Sequence, residues 1–174
     1  MTVAAFVLGL LGTVVAVASL TWQVYTFLMQ GARPKLTPIV GISTPDGLAH
    51  NDATRDVRES LASAAQQLSP GVLVAGVHVV NAGRGSFHVA SWELRTDPGG
   101  TAFKTVDVLP GGTAVPCDIS PGAEAIFIME LEQAQFLFAA SERIEGRQHR
   151  MVAAVSSGGR SYRTKPFNRV LLSD

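Results

Sequence analysis

The chain has 174 residues with 14 basic and 14 acidic side chains, so its formal net charge is zero. This length suits one domain of ordinary size with an appendage, and the lack of a basic excess argues against a nucleic-acid partner. The single cysteine, Cys117, excludes an intramolecular disulfide, which fits a reducing compartment.

An apolar segment opens the chain and carries no charged side chain between Val3 and Met29. As an α-helix with a rise of about 1.5 Å per residue, this run is about 40 Å long, whereas the hydrocarbon core of a bilayer is about 30 Å thick. We therefore predict a transmembrane helix over 1–30 and a juxtamembrane linker over 31–35.

A cleaved signal peptide is the alternative interpretation of this segment, because Ala16-Val17-Ala18 resembles a cleavage site made of small residues. No Lys or Arg precedes the apolar run, however, and the run continues past that site through Trp22 and Val24. Both features favour a retained anchor.

The charges that flank the helix predict its orientation. Arg33 and Lys35 follow the helix, and no basic side chain precedes it. The positive-inside rule then places the N-terminus outside the inner (plasma) membrane and the C-terminal domain in the cytoplasm. Trp22 and Tyr25 fall where the cytoplasmic aromatic belt is expected.

Small and polar residues recur along this helix at alternating spacings of four and three. Such a 3.5-residue period is typical of the seam of a left-handed helix pair, and it predicts a homo-oligomer through the helix. The alternative is that Gly and Ala are simply frequent in membrane helices. The seam comprises Ala5, Gly9, Gly12, Ala16, Ser19 and Gln23, and the spacing continues to Thr26 and Gln30.

Residues 36–174 are predicted to form an antiparallel β-sandwich domain. Short strand patterns alternate there with turn signals, and no β-α-β alternation occurs. The first strand, in "KLTPIVGIS", contains Pro38, which favours an edge position because proline cannot donate to a strand ladder. A final hairpin is expected around Gly158-Gly159.

One or two short helical insertions are also predicted in this domain. The segment 51–68 has helical spacing of apolar residues and begins at Asn51 or Asp52, although a mobile loop is an open alternative. The second insertion, "ELEQAQFLFAASERIEG", is expected to end at Gly146.

The strongest hairpin signal joins "VLVAGVHVVN" to "SFHVASWELRT" through the turn 82–85. A register centred on Gly83 places Val79 opposite Phe87. Along the second strand, the apolar positions change from odd numbers, at Phe87 and Val89, to even numbers, at Trp92 and Leu94. This change of parity indicates a bulge near Ala90 and Ser91.

The same register places His78 directly opposite His88 on the outer face of the hairpin. Two imidazoles across a strand pair can hold a metal ion. No third ligand is evident in the sequence, and exposed histidines are common, so two solvated side chains are the simpler interpretation.

Basic residues predict a patch that faces anionic lipid. Arg163 and Lys165 share one strand face, and we group them with Arg33 and Lys35. The alternative is a solvated sheet face whose charge is balanced by acidic neighbours.

The order of these elements resembles a group of uncharacterised bacterial single-pass membrane proteins. The resemblance rests on an apolar helix, "GARPK", a strand leading into "VVNAGRGSFHVASWEL" and a terminal "GRSYRTK". It implies a membrane anchor and an immunoglobulin-like β-sandwich. It implies no activity and no functional residue.

No catalytic or cofactor-binding motif is recognisable, and Asp118 beside Cys117 disfavours a nucleophilic thiolate. We therefore expect a non-enzymatic, membrane-anchored protein-interaction or scaffold module without a cofactor. Its unknown protein partner would add a strand to an edge such as Leu36–Ser43. The alternative is an oligomerising membrane-active effector whose soluble β-domain senses a trigger.

Overall fold

The computed structural model describes residues 2–98, 100–105 and 107–173. It begins with helix α1 (Thr2–Met29). Between Val3 and Thr26 this helix is long and apolar enough to cross a membrane, and none of it is buried against the rest of the chain. The predicted N-terminal apolar helix is therefore confirmed as a helix.

The rest of the chain is mainly antiparallel β-structure, as predicted. The strands of the described residues are β1 (Pro34–Thr44), β2 (Gly47–Asp52), β3 (Val72–Asn81), β4 (Phe87–Val89), β5 (Ser91–Asp97), β6 (Ala102–Phe103), β7 (Cys117–Ile119), β8 (Glu124–Glu130), β9 (Arg150–Ser157) and β10 (Arg160–Arg163). One four-stranded sheet has the order β2-β1-β3-β8, a second has the order β10-β9-β5-β6, and β4 pairs with β7.

Within the described part of the chain, two further α-helices interrupt the strands, α2 (Arg58–Gln67) and α3 (Leu131–Glu145), and a short 3₁₀ helix spans Arg169–Leu171. The end of α3 lies where predicted, because Gly146 adopts a left-handed conformation with φ of 62°.

The predicted start of the first insertion at Asn51 or Asp52 is wrong. These residues pair with β1 as part of β2, opposite Val40 and Ile39. The strand ladder therefore takes their backbone groups, and α2 begins only at Arg58.

Both sheets bury their inner faces in one apolar core. Val77 and Phe127 belong to the first sheet, and Trp92 and Val155 belong to the second; all four are in one buried cluster. The ring centroids of Trp92 and Phe127 are 6.2 Å apart. Along β5, buried and half-buried residues alternate, as a strand with one face on a core requires.

The predicted hairpin between β3 and the following strand is wrong. Strand β3 pairs with β1 on one side and β8 on the other, so Val79 lies opposite Leu36 and Ala125 rather than Phe87. Phe87 instead pairs with Ile119 in β7. Bends do occur at 83–85, but local periodicity does not specify which strands pair with each other.

The predicted change of parity is confirmed at Ala90. Phe87 and Val89 are buried in β4, and the next buried residue is Trp92 in β5. Ala90 lies between the two strands, and its N–H donates to the carbonyl of Ser156. Before Ala90 the chain pairs with β7, and after Ala90 it pairs with β9.

Strand β1 lies between β2 and β3 and is not an edge strand, but Pro38 itself lies just beyond the paired residues of β2, so its predicted edge position holds only locally. The Pro38 carbonyl accepts from Ala53 N–H on the β2 side. Because the nitrogen and carbonyl of one strand residue point the same way, the missing N–H of Pro38 faces away from β3. The β2 pairing also covers β1 from Ile39 to Thr44, and only 34–38 lies beyond it.

Candidate functional site

Helix α1 exposes apolar side chains on every side. Its large apolar residues are between 46% exposed, at Val7, and 75% exposed, at Val3. The hydroxyl groups of Thr13 and Thr21 donate to carbonyl oxygens of Gly9 and Val17 four residues earlier, at 2.9 and 2.8 Å. These polar groups are thus satisfied inside the helix, as an apolar surrounding requires.

The predicted seam residues all lie on this exposed helix. A Cβ atom added at Gly9 or Gly12 would meet no atom within 4 Å. The helix surface at these two positions therefore leaves room for the close approach of a neighbouring helix. The seam is formed by Ala5, Gly9, Gly12, Ala16, Ser19 and Gln23, all exposed.

Asn81, fully buried at the end of β3, joins the end of α1 to the β-domain. Its side-chain oxygen accepts from the N–H groups of Arg33, at 3.2 Å, and Gly83, at 3.0 Å. Its amide nitrogen donates to the carbonyls of Gly85, at 2.7 Å, and Ile119, at 2.9 Å. One side chain thus fixes the linker, the 82–85 loop and β7 together.

The glycines of the 82–85 loop allow its close approach to the linker after α1, and they do not form a hairpin turn. A Cβ atom at Gly83 would overlap the backbone of Gly31 and Arg33. Backbone hydrogen bonds from Ala82 to the Arg33 carbonyl, at 3.0 Å, and from Arg84 to the Gly31 carbonyl, at 3.3 Å, hold the two segments in contact. The β-domain therefore begins directly at the end of α1.

The register that suggested a metal site at His78 and His88 is wrong, since the two residues lie on strands that do not pair. The Nε2 atom of His78 lies 2.9 Å from a Glu124 carboxylate oxygen. The Nδ1 atom of His88 lies 2.9 Å from a carboxylate oxygen of Asp118. Among the described residues, no group of three His, Cys, Asp or Glu side chains is arranged to hold a metal ion.

Cys117 is half-buried in β7, opposite Val89. Burial and the neighbouring Asp118 carboxylate both raise the pKa of its thiol. A raised pKa leaves less thiolate at neutral pH, and the geometry therefore favours a packing role over a nucleophilic one.

The four residues of the predicted basic patch belong to two parts of the fold. Arg33 and Lys35 flank the start of β1, at the Asn81 junction. Arg163 ends β10 in the other sheet, where its guanidinium lies 4.0 Å from an Asp97 carboxylate oxygen. Lys165 follows β10 in the sequence and is exposed.

A groove of about 470 Å³ lies between α2, α3 and the C-terminal 3₁₀ helix. Leu61, Leu131 and Leu171 are among its mainly apolar lining residues, and Arg58 is the one charged residue of the described chain that lines it. Ile42, also in the lining, is eight residues beyond Pro34 along β1, which corresponds to about 26 Å. The groove therefore lies far from the α1 junction.

Two features of the site were missed in the sequence, the role of Asn81 and this groove. Asparagine is unfavourable within a strand, so its place at the end of "VLVAGVHVVN" was the available signal for a special role. The groove has no local signal, because its walls come from segments far apart in the chain.

No protein-family model matches the chain, and no curated protein and no solved structure matches it either. The function is therefore argued from the helix, the junction and the groove.

Proposed function

We propose that the chain is a single-pass protein of the inner (plasma) membrane that presents a non-enzymatic protein-interaction domain to the cytoplasm. The observation that carries this proposal is the exposure of α1 on every side between Val3 and Thr26. Each Å² of apolar surface left in water costs about 25 cal/mol, and a bilayer covers all sides of the helix at once.

Retention of the helix is supported by what cleavage after Ala18 would leave. The remaining part of α1 contains Leu20, Trp22 and Val24, which are between 50% and 66% exposed. This apolar remnant would lead directly into the Asn81 junction of the mature domain. A retained anchor leaves no such apolar surface in water.

An immunoglobulin-like sandwich is the fold we propose for the domain. The order β1-β3-β8 in one sheet and β10-β9-β5 in the other corresponds to the A-B-E and G-F-C strands of that fold. Trp92 on β5 takes the place of the buried tryptophan of strand C. The domain departs from the fold at α2, α3 and in the lack of a core disulfide.

A protein partner is proposed to bind at the groove, away from the membrane. The groove is mainly apolar, so an apolar anchor side chain of a partner would be buried there. Strand addition at Leu36–Ser43 is no longer favoured, because β2 already occupies most of that edge. The anchor would then hold this groove at a fixed height above the lipid surface, as a scaffold requires.

The topology of this proposal can be tested with reporters fused after residue 174. Because Arg33 and Lys35 follow the helix, a green fluorescent protein fusion should fluoresce, and a phosphatase that folds only in the periplasm should be inactive. In the matched control, Arg33 and Lys35 are replaced by Glu, and two Lys residues are added before Val3. The fluorescent fusion should then lose its fluorescence, and the phosphatase fusion should become active. High phosphatase activity of the unmodified chain would exclude a cytoplasmic domain.

A second candidate function, an oligomerising membrane-active effector whose β-domain senses a trigger, is favoured by the exposed seam of α1. In lipid, helices associate through close packing at small residues rather than through the hydrophobic effect. Growth arrest on overproduction, abolished by deletion of residues 1–30, would favour this candidate. A stable protein partner captured without growth arrest would favour the scaffold.

Helix association should depend on Gly12 and not on Val14. Leu at Gly12 would separate the two backbones at the seam, whereas Leu at Val14 only enlarges an apolar side chain on another face of the helix. A transmembrane-dimer reporter should therefore respond to Gly12→Leu and ignore Val14→Leu. Equal association of both variants, or no association of the unmodified chain, would leave α1 as an anchor only.

A further inference from the structure

Three segments of the chain meet at the end of the domain that carries α1. They are 30–35, 82–86 and 120–123, and we call their combined surface the junction face. Asn81 N–H donates to the carbonyl of Ala123, at 3.0 Å, and Gly122 N–H donates to the Asn81 carbonyl, at 2.8 Å. Together with the side-chain bonds of Asn81, these contacts make the three segments one continuous surface.

The junction face carries basic residues and no acidic residue. Arg33, Lys35 and Arg84 are all exposed on it, although the whole chain has 14 acidic side chains for its 14 basic ones. Asp118 and Glu124 are the acidic residues next to it in sequence, and each lies 2.9 Å from a histidine. Glu124 borders the face, because it lies opposite Val80, which also pairs with Lys35, so the basic excess is a property of the three segments themselves.

The distance from the apolar span to the junction face is short. The span ends at Thr26, and Gln30 follows about 6 Å farther along a helix axis. Head groups add about 5–8 Å on each side of the hydrocarbon core. Because Arg84 N–H is bonded to the Gly31 carbonyl, a membrane-spanning α1 would bring the 82–86 loop within reach of the head groups.

We propose that the junction face lies on the bilayer and binds anionic lipid head groups through Arg33, Lys35 and Arg84. This inference rests on the proposed membrane-spanning role of α1. Guanidinium and ammonium groups bind phosphate oxygens, and guanidinium binds them in bidentate geometry. The contact fixes the orientation of the domain, so that the groove points away from the lipid.

The test uses the full chain in nanodiscs of phosphatidylcholine alone or of phosphatidylcholine mixed with phosphatidylglycerol. Cys117→Ser removes the native thiol, and a spin label is attached at Ala82→Cys on the junction face. Labels at Val14→Cys in α1 and at Phe136→Cys on the exposed surface of α3 serve as references. Collision with a neutral water-soluble nickel complex and with oxygen reports the surroundings of each label.

The Ala82 label should be less accessible to nickel in the phosphatidylglycerol nanodiscs than in phosphatidylcholine alone, whereas the Phe136 label should be equally accessible in both. Each basic residue near an anionic surface changes the ratio of bound to free domain by roughly fivefold. Arg84→Gln should therefore lower this ratio by about that factor and so make the lipid-dependent difference smaller. Arg143 is an exposed arginine of α3, and Arg143→Gln should leave the lipid-dependent difference unchanged.

Equal nickel accessibility of the Ala82 label in both lipids, or equal behaviour of Arg84→Gln and Arg143→Gln, would overturn the inference. The Val14 label separates this failure from a failure of the proposed function. If that label collides with oxygen and not with nickel, α1 is in the bilayer and only the lipid contact is wrong. If it collides freely with nickel, α1 is outside the bilayer and both proposals fail.

Discussion

Replacing Asn81 by leucine is expected to lower the free energy of unfolding of the β-domain by about 3–5 kcal/mol. Leucine has a similar size but makes none of the four side-chain hydrogen bonds of Asn81. The carbonyl of Ile119 then loses a donor in a buried hydrogen bond, and the Gly85 carbonyl and the N–H groups of Arg33 and Gly83 lose partners in half-buried ones. Each buried polar group left without a partner costs about 1–3 kcal/mol.

Urea unfolding of the full chain in detergent, followed by circular dichroism, measures this change. Asn51→Leu is the matched control, since the Asn51 amide makes one exposed hydrogen bond, to Ser60 at 3.2 Å. Its expected effect is less than about 1 kcal/mol. Hydrogen exchange at the amides of Arg33 and Gly83 should accelerate in Asn81→Leu only. Equal stabilities of the two variants would show that Asn81 does not hold the junction.

Trp92→Ala is expected to destabilise the domain by a similar amount, about 3–5 kcal/mol. The Trp92 side chain is 4% exposed and packs against Phe127 of the opposite sheet. Removal of the ring takes away apolar burial and leaves a cavity between the two sheets, which packed neighbours fill only partly.

The same unfolding experiment tests this change, with Trp22→Ala as the control. Trp22 is 66% exposed on α1, so its removal should not alter the unfolding of the β-domain. A loss of less than about 1 kcal/mol in Trp92→Ala would mean that the two sheets do not share a packed core at this residue.

Features governed by local rules were predictable from the sequence. The apolar run that forms α1, the end of α3 at Gly146 and the hairpin around Gly158-Gly159 all depend on neighbouring residues. The parity change at Ala90 was predictable for the same reason, because it is visible in the spacing of apolar residues along one segment.

Strand pairing was not predictable in the same way. The two flanks of the 82–85 turn have the periodicity of a hairpin, yet β3 pairs with β1 and β8. The choice among partners depends on which faces the whole sheet buries. The same limit explains β2, which lies in a stretch rich in turn residues and becomes a strand by pairing with β1.

The junction shows what a sequence pattern leaves out of a site. Arg33 and Lys35 were identifiable because they follow the apolar run directly. Arg84 lies some fifty residues later, and it is placed beside Gly31 by its own backbone hydrogen bond and by the Asn81 hydrogen bonds. Contacts between segments so far apart in the chain leave no periodic pattern or fixed spacing in the sequence.

The central claim, that α1 is retained and spans a membrane, is tested most directly by the intact mass of the chain in carbonate-washed membranes of the native host. Carbonate removes peripheral proteins, whereas a spanning helix holds its protein in the bilayer. The account predicts a membrane-bound chain that still contains residues 1–30. A soluble chain that begins at Ser19 would contradict it, because the apolar segment would then be a signal peptide removed during export.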